Sequence, residues 1–231
     1  MKNVEQNLIP VLHNDGVNAE LLSLIQKLLD ATKEIATQVN QGALAGILGS
    51  TQDENIQGET QKKLDVIANQ LIKDALLNHE QVRAIASEEE DNIIAGKHNG
   101  PYIVAFDPLD GSSNIDINGQ IGTIFTIYPA RNDVAANTEL QFHQRGTQQV
   151  CAGYVLYGAS TLLVITTGGP TRCFTLDAAS KQFLLTIPKM EIAQDTQEFS
   201  VNMANQRFWQ HSFKHYIDDL IAGETGIRKK R

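Results

Sequence analysis

An apolar, β-branched and aromatic run, Tyr102-Ile103-Val104-Ala105-Phe106, passes without a break into Asp107-Pro108-Leu109-Asp110-Gly111-Ser112-Ser113-Asn114-Ile115-Asp116. The first part reads as a buried strand. Asp107 therefore falls at a strand's carboxyl end, where ligands collect in α/β sheets. Asp107 and Asp110 stand three residues apart, with Pro108 fixing one backbone dihedral between them. That spacing can hold two carboxylates at one small site as hard oxygen ligands, a set suited to magnesium or manganese. The small-residue turn Gly111-Ser112-Ser113 then offers backbone N–H groups and hydroxyls to an anion. A cation site and a phosphate cradle thus adjoin in sequence. Asp-Pro-x-Asp-Gly alone is also what an ordinary tight turn selects, so its surroundings must decide between the two.

Those surroundings supply helices first and strands afterwards. Residues 17–40 carry Leu21, Leu24, Ile25, Leu28, Ala31, Ile35 and Val39 at helical spacing, with Asn18 as the N-cap and Gly42 just past the end. A second amphipathic helix fits residues 61–77, with Leu64, Ile67, Ala68, Leu71, Ile72 and Ala75 inward. The acids near its start, Glu59 and Asp65, also suit the helix dipole. Residues 42–58 read as a short helix or loop. Residues 82–86 read as a strand running into Ser87-Glu88-Glu89-Glu90-Asp91, an acidic run that by itself would be a solvated loop. Further strands are expected over 123–128, 150–157, 161–166, 172–176 and 183–187, and a last helix over 207–221. His211 and His215 lie four apart on that helix, but neither a third ligand nor an HExxH pattern accompanies them. Helices followed by a strand-rich meander argue for an α+β fold, with sheets sandwiched between helix layers.

The formal net charge of -8 leaves no basic footprint for nucleic acid. An acidic chain that handles anions needs local positive charge, which a divalent cation supplies. The amino terminus lacks the apolar core of a signal peptide, and no apolar segment is long enough to span a membrane, so a cytoplasmic protein is expected. The two cysteines, Cys151 and Cys173, sit in strand-like sequence and read as buried, reduced thiols.

Phe106-Asp107-Pro108-Leu109-Asp110-Gly111-Ser112-Ser113-Asn114-Ile115-Asp116, with Gly122-Thr123-Ile124-Phe125-Thr126-Ile127-Tyr128, closely resembles the signature of the class I fructose-1,6-bisphosphatases. These belong to the lithium-sensitive, magnesium-dependent sugar phosphatase superfamily. Asn55-Ile56-Gln57-Gly58-Glu59, Lys62-Lys63-Leu64-Asp65 and the acidic pair Glu88-Glu89 after a strand resemble further family stretches. The resemblance implies a layered αβαβα sandwich. An N-terminal domain with the metal site would cover residues 1–196, and 197–231 would begin a sugar-phosphate-binding domain that is incomplete here. It also implies a homo-oligomer, tetrameric in complete form, acting on a sugar bisphosphate.

Residue by residue, the resemblance implies that Glu88, Glu89, Asp107, Asp110 and the carbonyl of Leu109 bind Mg2+, with Mn2+ a substitute. Asp65 with Glu89 would orient and activate the attacking water, and Glu59 would support a loop closing over the metals. Asp110, Gly111, Ser112 and Ser113 would contact the departing phosphate, and Asn202 the sugar's other phosphate. The implied reaction is hydrolysis of the 1-phosphate of fructose 1,6-bisphosphate to fructose 6-phosphate, a step of gluconeogenesis. There are departures. The family's AMP-binding turn, T-G-E-L-T, here reads Asn18-Ala19-Glu20-Leu21-Leu22, and Pro101 replaces a lysine before Tyr102. The family also continues past residue 231 with further contacts to the 6-phosphate and one more glutamate ligand. Those departures leave alternatives: a sedoheptulose-1,7-bisphosphatase or inositol-type phosphatase, or an inactive metal-binding fragment that associates with full-length subunits.

Overall fold

The computed structural model describes residues 7–45, 50–54, 60–196 and 198–223. Helix α1 (Leu8–Asn14) buries Leu8, Val11 and Leu12; so short a helix shows too few turns for its periodicity to stand out in the sequence. Helix α2 (Ala19–Gln41) starts where Asn18 Oδ1 accepts from Leu21 N at 2.8 Å, and ends at Gly42 with φ 51°. The side-chain cap satisfies an amide that has no partner inside the helix, and glycine takes the left-handed terminal position without strain. The inward face is the one expected, with Leu24, Ile25, Leu28 and Ile35 fully buried. Each such side chain contributes about 1.5–3 kcal/mol of burial.

Between α2 and α3 the structure also departs from the sequence reading. Among the described residues of 42–58, a 3-10 turn at Gly42–Ala45 is followed by strand β1 (Ser50–Glu54), which pairs antiparallel with β2 (Thr60–Lys62). Helix α3 therefore spans Lys63–Leu77 and begins after residue 61. The sequence Ser50-Thr51-Gln52-Asp53-Glu54 carries no apolar alternation, so only its pairing with a distant segment makes it a strand. Glu59 and the rest of 55–59 lie outside the described residues.

The remaining strands of the first part are β3 (Val82–Ser87), β4 (Ile94–Ala95), β5 (Tyr102–Asp110), β6 (Ile121–Pro129), β7 (Cys151–Tyr157), β8 (Thr161–Thr166), β9 (Arg172–Leu176) and β10 (Phe183–Ile187). They form one eight-stranded mixed sheet in the order β10-β9-β8-β7-β6-β5-β3-β4. Alternate residues Tyr102, Val104, Phe106, Phe125, Ile127, Val155, Leu163 and Ile165 join the apolar faces of α1, α2 and α3 in a single core. This is the period-2 pattern of a sheet with one face under helices, and the fold is α+β.

The chain divides into two compact units, Met1–Met190 and Glu191–Arg231. In the second, a 3-10 turn at Met203–Phe208 precedes helix α4 (His211–Ala222), so the helix starts four residues later than residue 207. Extended backbone at Trp209 and Gln210 separates the two, and the Trp209 and Phe213 rings meet edge to face at 4.9 Å. Cys151 and Cys173 are buried and unbridged. Among the described residues no helix is long and apolar enough to cross a membrane.

Candidate active site

Every neighbouring pair in the large sheet is antiparallel except β3 and β5. Only there do two carboxyl ends of strands lie side by side. Ser87 is in register with Phe106, and Glu88 N donates to Phe106 O at 3.0 Å. The turn that carries Glu88 and Glu89 is thereby set beside Asp107.

The amino end of α3 supplies a third acid. Asp65 is 2% exposed, and its Oδ2 accepts from Lys62 N at 2.8 Å. Burial, above all, pushes its pKa up to about 6; the Lys62 amide opposes this, the charges of Glu89 and Asp107 add to it, and the Ser112 hydroxyl opposes it. Asp65, Glu89, Asp107 and Ser112 thus share one electrostatic neighbourhood. Asp65 Oδ1 is buried with no hydrogen-bond partner among the described residues.

The signature itself is a bulged strand end. Asp107 pairs with Ile124 and Asp110 with Gly122, so Pro108 and Leu109 stand against the single residue Thr123. Leu109 N donates to Asp107 Oδ1 at 3.0 Å. Gly122 must be glycine for packing reasons, because a Cβ there would lie 2.7 Å from Val155 O. Gly111 turns the chain with φ 80° into a 3-10 turn at Ser112–Asn114. Asp110 and Ser113 are exposed, while Gly111 and Ser112 are half-buried. Lys62 Nζ reaches Asp116 Oδ2 at 2.8 Å and ties the start of α3 to this loop.

Sequence reasoning left Glu90 aside, yet it anchors the acidic turn. Glu90 Oε1 accepts from Asn69 Nδ2 at 2.8 Å and from Lys73 Nζ. Ser87 Oγ donates to Asn69 Oδ1 at 2.8 Å, and Glu89 N donates to Ser87 Oγ at 3.3 Å. Asn69 and Lys73 are four apart on α3, and that one-face spacing next to an acidic turn is the signal that could have revealed the anchor. Burial raises the Glu90 carboxyl, but the bonds from Lys73 and Asn69 and the Lys73 charge outweigh it and leave the pKa low.

Asn202 caps the 3-10 turn of the second unit, its Oδ1 accepting from Ala204 N at 3.0 Å. Among the described residues no three His, Cys, Asp or Glu side chains converge closely enough to ligate a cation as they stand. The candidate donors Glu88, Glu89, Asp107, Asp110 and the Leu109 carbonyl are all oxygen, which fits a hard divalent ion, and beside them one buried carboxylate oxygen of Asp65 has no partner among the described residues. A depression of about 700 Å³ borders Ser87, Glu88 and Asp107, but its walls are otherwise mostly apolar, with Ile124, Phe125, Tyr154, Val164 and Ile165 among them. A phosphorylated sugar would find few polar partners there.

The model of the fructose-1-6-bisphosphatase N-terminal domain matches residues 9–188. The class 1 fructose-1,6-bisphosphatase of Cellvibrio japonicus is 69% identical over 226 residues, covering 98% of this chain and 70% of that protein. The chain belongs to the fructose-1,6-bisphosphatase family. The class 1 fructose-1,6-bisphosphatase of Colwellia psychrerythraea is 58% identical over 225 residues, 97% of this chain and 70% of its own length. The holo crystal structure of Leishmania major fructose-1,6-bisphosphatase superposes with a TM-score of 0.87 at 34% identity, covering 92% of this chain and 68% of that one. The chain therefore has the family's α+β fold and spans about 70% of the length of these curated fructose-1,6-bisphosphatases.

Proposed function

We propose that the protein hydrolyses the 1-phosphate of fructose 1,6-bisphosphate to fructose 6-phosphate and phosphate, as a magnesium-dependent enzyme of gluconeogenesis. The observation that carries this reading is Asp65, buried beside Glu89 and Asp107 with a pKa of about 6. A carboxylate that titrates near neutrality is suited to general-base work. With Oδ2 held by the Lys62 amide, Oδ1 is the atom that takes a proton from the attacking water, and Glu89 helps to orient that water.

Glu88, Glu89, Asp107, Asp110 and the Leu109 carbonyl would hold Mg2+, or Mn2+ in its place. Bound there, the cation would neutralise the carboxylates and withdraw charge from the phosphoryl oxygens. Asp110 and the Gly111-Ser112-Ser113 turn contact the departing phosphate through backbone N–H groups and hydroxyls. Asn202 contacts the other phosphate, and Glu59 supports the loop that closes over the site. In this reading the metal-bearing domain takes residues 1–196, the sugar-phosphate domain begins at 197, and the assembled enzyme is a cytoplasmic homotetramer.

The test is phosphate release from fructose 1,6-bisphosphate, sedoheptulose 1,7-bisphosphate and an inositol monophosphate with magnesium titrated. It is run on this chain and on a version extended to the length of its relatives. Preference for fructose 1,6-bisphosphate with an absolute magnesium requirement is expected. Preference for the inositol phosphate, or hydrolysis that persists in EDTA, would defeat the assignment.

A further inference from the structure

Where Pro108 and Leu109 stand against Thr123 alone, the strand ladder cannot serve every backbone group. Two side chains take over. Leu109 N donates to Asp107 Oδ1 at 3.0 Å, and Pro108 O accepts from Thr123 Oγ1 at 2.9 Å. Behind Thr123 stands Tyr157, its hydroxyl 2.7 Å from Thr123 Oγ1. A carbonyl can only accept, and a threonine hydroxyl has one proton to give. That proton goes to Pro108 O, so Tyr157 must donate to Thr123. The chain of bonds has one direction: Tyr157 O–H to Thr123 Oγ1, then Thr123 O–H to the Pro108 carbonyl.

Thr123 is completely buried and Tyr157 is 2% exposed. No water competes with these bonds, and each polarises the next. Burial also holds the Tyr157 phenol well above its ordinary pKa, outweighing the Thr123 bond, so it stays a donor at any working pH. The carbonyl it fixes lies between Asp107 and Asp110.

We infer that Tyr157 and Thr123 are positioning residues for the cation site, their hydroxyl chain clamping the Pro108 carbonyl and so setting the relative aim of the Asp107 and Asp110 carboxylates. This rests on the reading above that these two acids hold a divalent cation. Neither hydroxyl touches substrate or metal. Groups that orient ligands from behind typically change metal affinity by about 10- to 100-fold when lost.

The experiment compares the parent chain with Thr123→Val, Thr123→Ser and Tyr157→Phe. Mn2+ binding is measured by titration calorimetry, and amide hydrogen exchange at Leu109 and Asp110 is followed in EDTA. Thr123→Val keeps the shape and removes the donor, so Mn2+ affinity falls about tenfold or more and exchange at the bulge quickens, while β7 and β8 stay protected. Thr123→Ser restores the parent's values, and Tyr157→Phe shifts both readouts in the direction of Thr123→Val. Should Thr123→Val fail to fold, the contrast between Thr123→Ser and Tyr157→Phe carries the same test. Parent-like Mn2+ affinity and exchange in a folded Thr123→Val or in Tyr157→Phe overturns this inference alone. A serine variant as impaired as the valine one also overturns it, since the threonine methyl would then be what matters. A parent chain that binds no Mn2+ overturns the cation reading and this inference together.

Discussion

Asp65→Asn isolates a buried charge that has one oxygen held by the Lys62 amide and the other without a hydrogen-bond partner among the described residues. The Asp65 carboxyl ionises at about 6 in the folded chain, against 3.8 as its ordinary value. At roughly 1.36 kcal/mol per pH unit, the difference amounts to about 3 kcal/mol. The sign follows from which state releases its proton first. Below pH 3.8 the carboxyl is protonated both folded and unfolded, and the charge costs nothing. Between 3.8 and 6 the unfolded chain ionises while the folded chain resists, so stability falls as pH rises. Above 6 the loss is complete.

An asparagine keeps an oxygen for the Lys62 amide and puts an N–H2 donor, with no charge, near Glu89 and Asp107. The metal-free variant is therefore expected to be more stable than the parent by about 1–3 kcal/mol at pH 8, with the gain vanishing near pH 3.5. Urea unfolding followed by far-UV circular dichroism in EDTA, repeated across that pH range, reads this directly. Magnesium should narrow the gap at pH 8, because a bound cation supplies the counter-charge the parent lacks. Hydrolysis should move the other way and fall by about 10²- to 10⁴-fold with the base removed. A variant less stable than the parent at pH 8, or a gain indifferent to pH, would refute the account of Asp65.

Asp107→Asn or Asp110→Asn should abolish magnesium-dependent hydrolysis without unfolding the apo chain, since each removes a ligand and a repulsive charge together; near-normal turnover at saturating magnesium would sink the ligand assignment. AMP should inhibit poorly. Asn18 Oδ1 already takes the Leu21 amide at 2.8 Å, its Nδ2 bonds the Tyr102 hydroxyl at 3.0 Å, and Leu22 and Pro101 offer neither hydroxyl nor charge. Each missing charge-assisted bond is worth about 1.5–3 kcal/mol, tenfold or more in affinity, so micromolar inhibition of the extended enzyme would contradict this. Lys73→Met strips Glu90 of its cation and should cost about 1–3 kcal/mol of stability while raising the magnesium needed for half-maximal rate; if denaturation and magnesium dependence both stay at the parent's values, the Glu90 anchor plays no part in holding the acidic turn.

How far the fold could be read beforehand depended on how local each signal was. The α2 cap at Asn18 and its stop at Gly42 are written within a few residues, and the structure has both. The strand Tyr102–Asp110 carries its own apolar run. Strand β1 does not, because Ser50–Glu54 becomes extended only by pairing with Thr60–Lys62, and such cross-strand terms outweigh intrinsic preference. The break at Trp209 was hidden for a related reason: Phe208, Phe213, Tyr216 and Ile217 suit one apolar face whether or not the helix is interrupted.

The site shows the same division more sharply. Asp107, Asp110 and the Gly111-Ser112-Ser113 turn announce themselves, because their chemistry is compressed into one stretch. What brings Glu88 and Glu89 to them is the parallel pairing of β3 with β5, and strand direction leaves no local trace in sequence. A chain that turned β3 around would keep every residue of the acidic run and carry it to the opposite end of the strands, since each strand rises about 3.3 Å per residue. The connection between β3 and β5 runs through the short β4, which is antiparallel to β3; it brings the chain back toward the end where β3 starts, so that β5 can run parallel to β3 on its other side. Asp65 arrives by a third route, as the residue whose carboxylate caps the Lys62 amide at the start of α3. Its unusual pKa is a property of that meeting: the capping bond and the Ser112 hydroxyl favour the charge, while burial and the neighbouring carboxylates oppose it more strongly. Composition could say that acids were plentiful. The one parallel pair in an otherwise antiparallel sheet sets the Glu88-Glu89 turn beside Asp107, the start of α3 adds Asp65, and burial first, then the charges of Glu89 and Asp107, push the pKa of that helix-capping aspartate up to about 6.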